Sequence, residues 1–336
     1  MDIKELTLKE KICQMFIVGF QGQSYFLNRN FVSLLEGGLG GVIFFSHNIN
    51  SENQFKELIL KLSKEAEFPM FYSIDQEGGR VERTEKIHNG KKYLSAKNAL
   101  EMGVSYLQNQ TKEMALELKS YGINMNFAPV LDVNTNPDNP IIGERAYSSD
   151  TDEVIYASKA VIKEYEKYGI ITVGKHFPGH GASNVDSHKT MPIINLEKDD
   201  LYEHHIRPFK EAIDIDIPAI MVAHVAYPSL DNSNIPASVS EKIINNILIK
   251  ELNFKGVIIT DDMEMNGIKE FSRLQACIMA INAGINMFIF RDSTKEISEL
   301  ITNLTEAVND GRIKEELINN SVEKIINLKY RYGIVK

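Results

Sequence analysis

Short apolar runs rich in β-branched and aromatic residues recur along the chain, each followed by a longer stretch with helical spacing. The runs are "QMFIVGF" (14–20), "GGVIFF" (40–45), "PMFYSID" (69–75), "INMNFAPVLDV" (123–133), "ITVGKH" (171–176), "AIMVAHV" (219–225), "GVIITDD" (256–262) and "INMFIF" (285–290). Between them lie amphipathic segments such as "NQFKELILKLSKEAE" and "TDEVIYASKAVIKEYEKYG". The second opens on a capping-type Ser-Asp-Thr-Asp and closes on Gly169, as a helix should.

Eight strands, each with a crossover long enough for a helix, predict an α/β fold, a (β/α)8 TIM barrel formed by residues 1–336 as a single domain. A doubly wound open sheet fits less well, because no Gly-x-Gly-x-x-Gly turn follows the first strand. Neither a shift of composition nor a low-complexity tract marks a domain boundary. Two connections, 134–150 and 177–195, are long enough to expect a functional role.

In a barrel the chemistry lies where the strands end. Strand three ends at Asp75, strand five at Lys175 and His176, strand six at His224, and strand seven at Asp261 and Asp262. An ionisable residue directly after an apolar strand, four times over, points to an enzyme. Strand seven is apolar on both faces, so periodicity does not choose between Asp261 and Asp262. Taken singly, His224 reads as a hydrogen-bonded core histidine. "DQEGGRVER" (75–83) reads as a turn in which Gly78 and Gly79 supply positive φ.

Composition narrows the class. The 336 residues carry a net charge of −9, which argues against nucleic acid as a partner. The two cysteines, Cys13 and Cys277, fall inside apolar runs and read as reduced core residues. "ICQMFIVGF" (12–20) follows a mixed-charge segment and is broken by Gln14, so it reads as a buried strand rather than a signal peptide. With no run of membrane-spanning length, no membrane partner and a cytoplasmic location are expected.

The densest chemistry is "KHFPGHGASNVDSH" (175–188), with three histidines and an aspartate. A metal site could draw on His176, His180, Asp186 and His188, but the His-x-His of an early barrel strand is missing. A phosphate cradle could use Gly179 and Gly181, but no Gly-Lys-Ser/Thr follows. An acid–base pair fits better. Asp186 and His188 are two apart and face one way on an extended loop, and an aspartate can fix the histidine tautomer and stabilise the imidazolium. Such a histidine titrates near neutrality, as a group that donates and then accepts a proton must. Asp261 is the carboxylate available as nucleophile, and the whole reads as glycoside transfer with retention. Gly179, Gly181 and Ala182 further predict a loosely packed loop able to close over bound ligand.

The sequence here resembles glycoside hydrolase family 3, in its single-domain β-N-acetylglucosaminidase branch of cell-wall recycling. The matching stretches are "IDQEGGRVER" (74–83), "NFAPVLDV" (126–133), "IGERAYSSD" (142–150), "GKHFPGHGASNVDSH" (174–188), "AHVAYPSLDNSNIPASVS" (223–240) and "ITDDMEMNGI" (259–268). The resemblance implies that Asp261 is the nucleophile, His188 the general acid/base and Asp186 its partner. It further implies that Asp75, Arg83, Arg145, Lys175 and His176 hold the sugar. The partner would be a small carbohydrate, a GlcNAc-containing muropeptide or oligosaccharide, with no cofactor and no metal. Larger members add a second domain, which in the glucosidase branch supplies an acid/base glutamate; a histidine in that role fits a chain of barrel length. Two other activities remain open at this point: phosphorolysis, since a neutral histidine repels phosphate less than a carboxylate does, and sugar binding without catalysis.

Overall fold

The computed structural model describes residues 3–88, 92–185 and 191–335. Eight parallel strands close into one barrel in sequential order: β1 (Phe16–Val18), β2 (Gly41–Phe44), β3 (Phe71–Ile74), β4 (Met125–Asn126), β5 (Ile171–Phe177), β6 (Ala219–Val222), β7 (Val257–Asp262) and β8 (Met287–Phe290). Seven of the eight apolar runs contain one of them whole, and β5 extends one residue past its run, to Phe177. Closure comes from β1 against β8, with Phe16, Ile17 and Val18 opposite Phe288, Ile289 and Phe290. Phe288 and Phe290, two apart and so on one face, pack on Phe16 with ring centroids 5.6 and 5.7 Å away. Strands of a covered parallel sheet are buried on both sides, which is why they are apolar throughout rather than alternating.

The helices form where the sequence supplies both an apolar stripe and a cap. Helix Thr151–Lys167 starts on Asp150, whose Oδ1 accepts from the Glu153 N–H at 3.0 Å. Helix Glu52–Glu65 starts on Ser51, whose Oγ accepts from the Gln54 N–H at 3.3 Å. Before β1 the chain forms a helix, Leu8–Gln14, closed by a reciprocal Thr7–Glu10 capping box. Cys13 on that helix and Cys277 are both buried free thiols. None of the described helices is long and apolar enough to cross a membrane.

The fourth strand is much shorter than its eleven-residue apolar run. Pro129 has no N–H for a ladder, and regular pairing stops after Asn126. The chain nonetheless stays beside β5: the Val173 and Lys175 N–H groups donate to Ala128 O (3.0 Å) and Pro129 O (3.2 Å), and the Leu131 N–H donates to Lys175 O (2.7 Å). That irregular path carries Asp132 to the rim.

Helix Glu315–Arg331 sends Lys329 inward, fully buried. Its Nζ donates to Gln14 Oε1 at 2.7 Å and lies 5.0 Å from the centre of the Phe71 ring. Burial pushes this ammonium down to about 7.

Candidate active site

The ends of β3, β5 and β7 converge on a cavity of about 240 Å³ at the barrel mouth. Asp75, Arg83, Arg145, Lys175, His176 and Asp261 all line it, together with apolar Phe45, Phe127, Met221 and Met265. The six residues singled out in the sequence within the described chain therefore meet in one place. Asp186 and His188 lie outside the described residues.

One wall is a chain of ion pairs. Lys175, 2 % exposed, sets its Nζ 2.8 Å from Asp75 Oδ1 and 2.6 Å from Glu77 Oε1. Arg83 approaches Asp75 Oδ2 at 3.5 Å and lies over the Phe45 ring. Arg145 grips Glu77 with both arms of its fork, Nε to Oε2 and Nη2 to Oε1, each at 2.8 Å. Burial raises the Asp75 and Glu77 carboxyls, but the surrounding Lys175, Arg83 and Arg145 outweigh it and hold both below the ordinary carboxylate range. Glu77, which carries no marker of function in the sequence, joins Lys175 to Arg145.

A second buried carboxylate orders the opening of the histidine-rich stretch. Asp132 is fully buried. Its Oδ2 accepts from His176 Nδ1 at 2.7 Å, and its Oδ1 from the backbone N–H groups of His176 (3.2 Å) and His180 (2.6 Å). His176 thus has its Nδ1 engaged, leaving Nε2 for the cavity. His180 is pushed down to about 4 by burial and by the neighbouring His176, so it is neutral at physiological pH.

The glycines of this stretch are packed, contrary to the expectation of slack. A Cβ on Gly181 would sit 1.7 Å from Val133 O, and one on Gly179 would sit 2.7 Å from His205 Cβ. Close approach of two chain segments is what needs glycine here. The two long connections meet at the same point, where Asn139 Nδ2 donates to His180 O (2.9 Å) and Gly181 O (3.1 Å). In the turn after β3, Gly78 and Gly79 do adopt positive φ, 93° and 59°.

At the end of β7 the two aspartates part company. Asp262 Oδ2 accepts from the Arg291 guanidinium. Its Oδ1 accepts from the backbone N–H groups of Glu264 (3.0 Å) and Arg291 (3.3 Å). Asp261 Oδ1 accepts from the Asp262 N–H at 2.7 Å. Burial raises the Asp261 carboxyl, but His176, His224, that N–H and Lys175 together bring it below its ordinary value. Asp261 is therefore an ionised carboxylate on the cavity wall. His224 is buried beside it: Nε2–H donates to Asp262 O (3.2 Å), so in the neutral ring Nδ1 accepts from Ser238 Oγ (2.7 Å). Burial holds this ring below its usual value.

Arg291, like Glu77 and Asp132, had no role in the sequence reading. It follows the apolar run of β8 directly, the same signal that flagged the other strands. Nothing in the sequence pairs Glu77 or Asp132 with their partners: His176 lies 44 residues from Asp132, and Arg145 lies 68 from Glu77.

Fold and site together define a TIM-barrel protein whose rim gathers carboxylates and cations around one small cavity. Within that class, the chain belongs to glycosyl hydrolase family 3: the model of the family's N-terminal domain matches residues 7–328. Beta-hexosaminidase A of Pseudoalteromonas piscicida is 34% identical over 321 residues, covering 87% of this chain and 53% of the relative. A beta-hexosaminidase of Nitrosomonas eutropha is 31% identical over 302 residues, covering 86% of this chain and 85% of the relative. The family 3 β-N-acetylglucosaminidase structure from Paenibacillus sp. str. FPU-7 superposes with a TM-score of 0.92 at 34% identity, covering 98% of this chain and 63% of that one. The chain thus spans about half the length of the first of these relatives and most of the second.

Proposed function

We propose that the protein is a retaining exo-β-N-acetylglucosaminidase. It would remove terminal non-reducing N-acetylglucosamine from small carbohydrates, peptidoglycan fragments foremost, as one barrel domain over residues 1–336 in the cytoplasm. The observation that carries this reading is Asp261: an ionised carboxylate on the cavity wall, across from a polar wall of Asp75, Lys175, Arg83 and Arg145. Kinship with two proteins named beta-hexosaminidase supports the sugar assignment.

In this reading Asp75 accepts from ring hydroxyls while Arg83, Lys175, Arg145 and His176 donate to hydroxyls and to the N-acetyl carbonyl. The cavity, at about 240 Å³ somewhat below the roughly 300–1,000 Å³ of drug-sized sites, suits a single terminal sugar. Asp261 attacks the anomeric carbon as the glycosidic bond breaks, and His188, oriented by Asp186, protonates the departing oxygen. His188 then takes a proton from water, whose oxygen displaces Asp261 from the glycosyl ester. Two inversions return the original configuration.

An aryl β-N-acetylglucosaminide assayed with and without inorganic phosphate tests this. The expected result is turnover in phosphate-free buffer, with β-N-acetylglucosamine as the first product. Formation of N-acetylglucosamine 1-phosphate would replace hydrolysis by phosphorolysis. Saturable sugar binding without turnover would leave a binding protein.

A further inference from the structure

The loop after β3 is anchored by a buried charge cluster outside the cavity. His88 lies between two glutamates, with Nδ1 2.9 Å from Glu82 Oε1 and Nε2 2.5 Å from Glu117 Oε1. The His88 and Glu82 side chains are only 3% and 2% exposed. Two carboxylates within ion-pair distance of one buried ring favour its imidazolium form; Nδ1 and Glu82 Oε1 are paired by proximity and charge rather than by an aligned hydrogen bond. Glu117 sits on helix Val104–Tyr121 and also accepts from Tyr93 Oη (2.6 Å) and Tyr121 Oη (2.7 Å). Thr84 Oγ faces His88 Nε2 from the loop itself. Beyond this shell, Glu113 lies toward Tyr93, while Glu52 and the Lys56 ammonium flank Tyr121.

Glu82 and Arg83 are consecutive but serve different partners, Glu82 the cluster and Arg83 the Asp75 carboxylate. The same segment is held a second time by Gln76 Oε1, which accepts from the N–H groups of Arg83 (2.9 Å) and Thr84 (3.3 Å). We propose that His88 is a positioning residue of the sugar site: clamped between Glu82 and Glu117, it fixes the backbone from which Arg83 reaches Asp75. The consequence for sugar turnover rests on the function proposed above.

Burial alone would lower the His88 ring, but its bonds to Glu117 and Glu82 prevail and raise it to about 9. The clamp is therefore intact at neutral pH and loses an N–H only as the pH rises through about 9. Burial and the Glu117 bond raise both phenols, so Tyr93 and Tyr121 stay protonated there.

The test is the pH dependence of KM and kcat for an aryl β-N-acetylglucosaminide in wild type, His88→Gln and Glu82→Gln. Near neutrality both variants should raise KM about tenfold with kcat nearly unchanged, and the double variant should be no worse than either single one. Wild-type KM should climb above about pH 9, with circular dichroism unchanged, whereas His88→Gln should be flat there. Unchanged KM in His88→Gln, or a loss of thermal stability with KM unaltered, would overturn the proposal. If the variants fail to fold, the wild-type profile decides alone, and a flat KM through the alkaline range sinks the clamp. Absence of wild-type turnover would count against the proposed function only; calorimetric titration with N-acetylglucosamine over the same pH range then reads the clamp directly.

Discussion

Asp261 and Asp262 are adjacent in the chain and both line the cavity, yet Asp262 is held by Arg291 and two backbone N–H groups while Asp261 takes the Asp262 N–H on its Oδ1. A strand apolar on both faces cannot make that distinction by periodicity. The chain beyond β7 and β8 makes it, by offering donors to one carboxylate and leaving the other to the ligand.

Asp261→Asn should therefore abolish turnover by several orders of magnitude while sugar binding persists, because both half-reactions pass through the glycosyl ester. Asp262→Asn should keep most of the rate and change stability little, since burial raises the Asp262 carboxyl despite its part-buried bond to Arg291, so the charge lost is one the fold does not favour on balance. Single-turnover kinetics and thermal melts of the two variants separate these effects. Reversal of the pattern would transfer the nucleophile to Asp262.

His188→Ala should be slowest on substrates with a poor leaving group. An alkyl or sugar aglycone needs its oxygen protonated as the bond breaks, whereas a dinitrophenolate departs with little help. The ratio of rates on the two substrates should widen in the mutant, and azide should restore part of the turnover. Equal losses on both, without rescue, would reduce His188 to a positioning role.

Glu77→Gln should be costly although Glu77 has no assigned role in the chemistry. It would leave Lys175 and Arg145 short of a buried counter-charge, a loss on the order of 3–5 kcal/mol for a buried pair, and KM should rise as both cations shift. The folded-state value of Glu77 is depressed, so its contribution is complete above the unfolded carboxyl value of about 4.3 and fades as pH falls toward the folded one. Melting temperature measured from neutrality into acid should fall less steeply in Glu77→Gln than in wild type.

Lys329 has the opposite sign. Its folded value of about 7 lies below the ordinary lysine value of about 10.4, so the unfolded chain holds more protons between the two and stability rises with pH across that window. Lys329→Met should melt higher near neutrality and remove the rise. A wild-type melting curve flat from neutral to alkaline pH would contradict a buried, nearly neutral amine at this position.

Activity should survive a strong chelator followed by desalting. No group of three or more histidine, cysteine, aspartate or glutamate side chains among the described residues is arranged to hold a metal ion. Loss of activity restored by zinc would revive a metal role for the histidine-rich stretch.

The sequence by itself determined the barrel. Strands buried on both faces must be apolar throughout, helices must carry a stripe and a cap, and both patterns are local enough to read. It also marked Asp75, Lys175, His176 and Asp261, because an ionisable residue directly after a buried strand is conspicuous in one dimension. Family resemblance added Arg83 and Arg145, which lie in loops without such a signal. Tertiary structure alone decided the partners. Lys175 meets Asp75 across 100 residues, Arg145 meets Glu77 across 68, and His176 meets Asp132 across 44. Those meetings are set by which strand ends and loops the closed barrel brings to one rim, and charge pairing at close range depends on distance in space rather than along the chain. For the same reason Gly181 looked like slack in the sequence and proved to be a point of contact: what a missing Cβ is for depends on what stands opposite it, here the carbonyl of Val133.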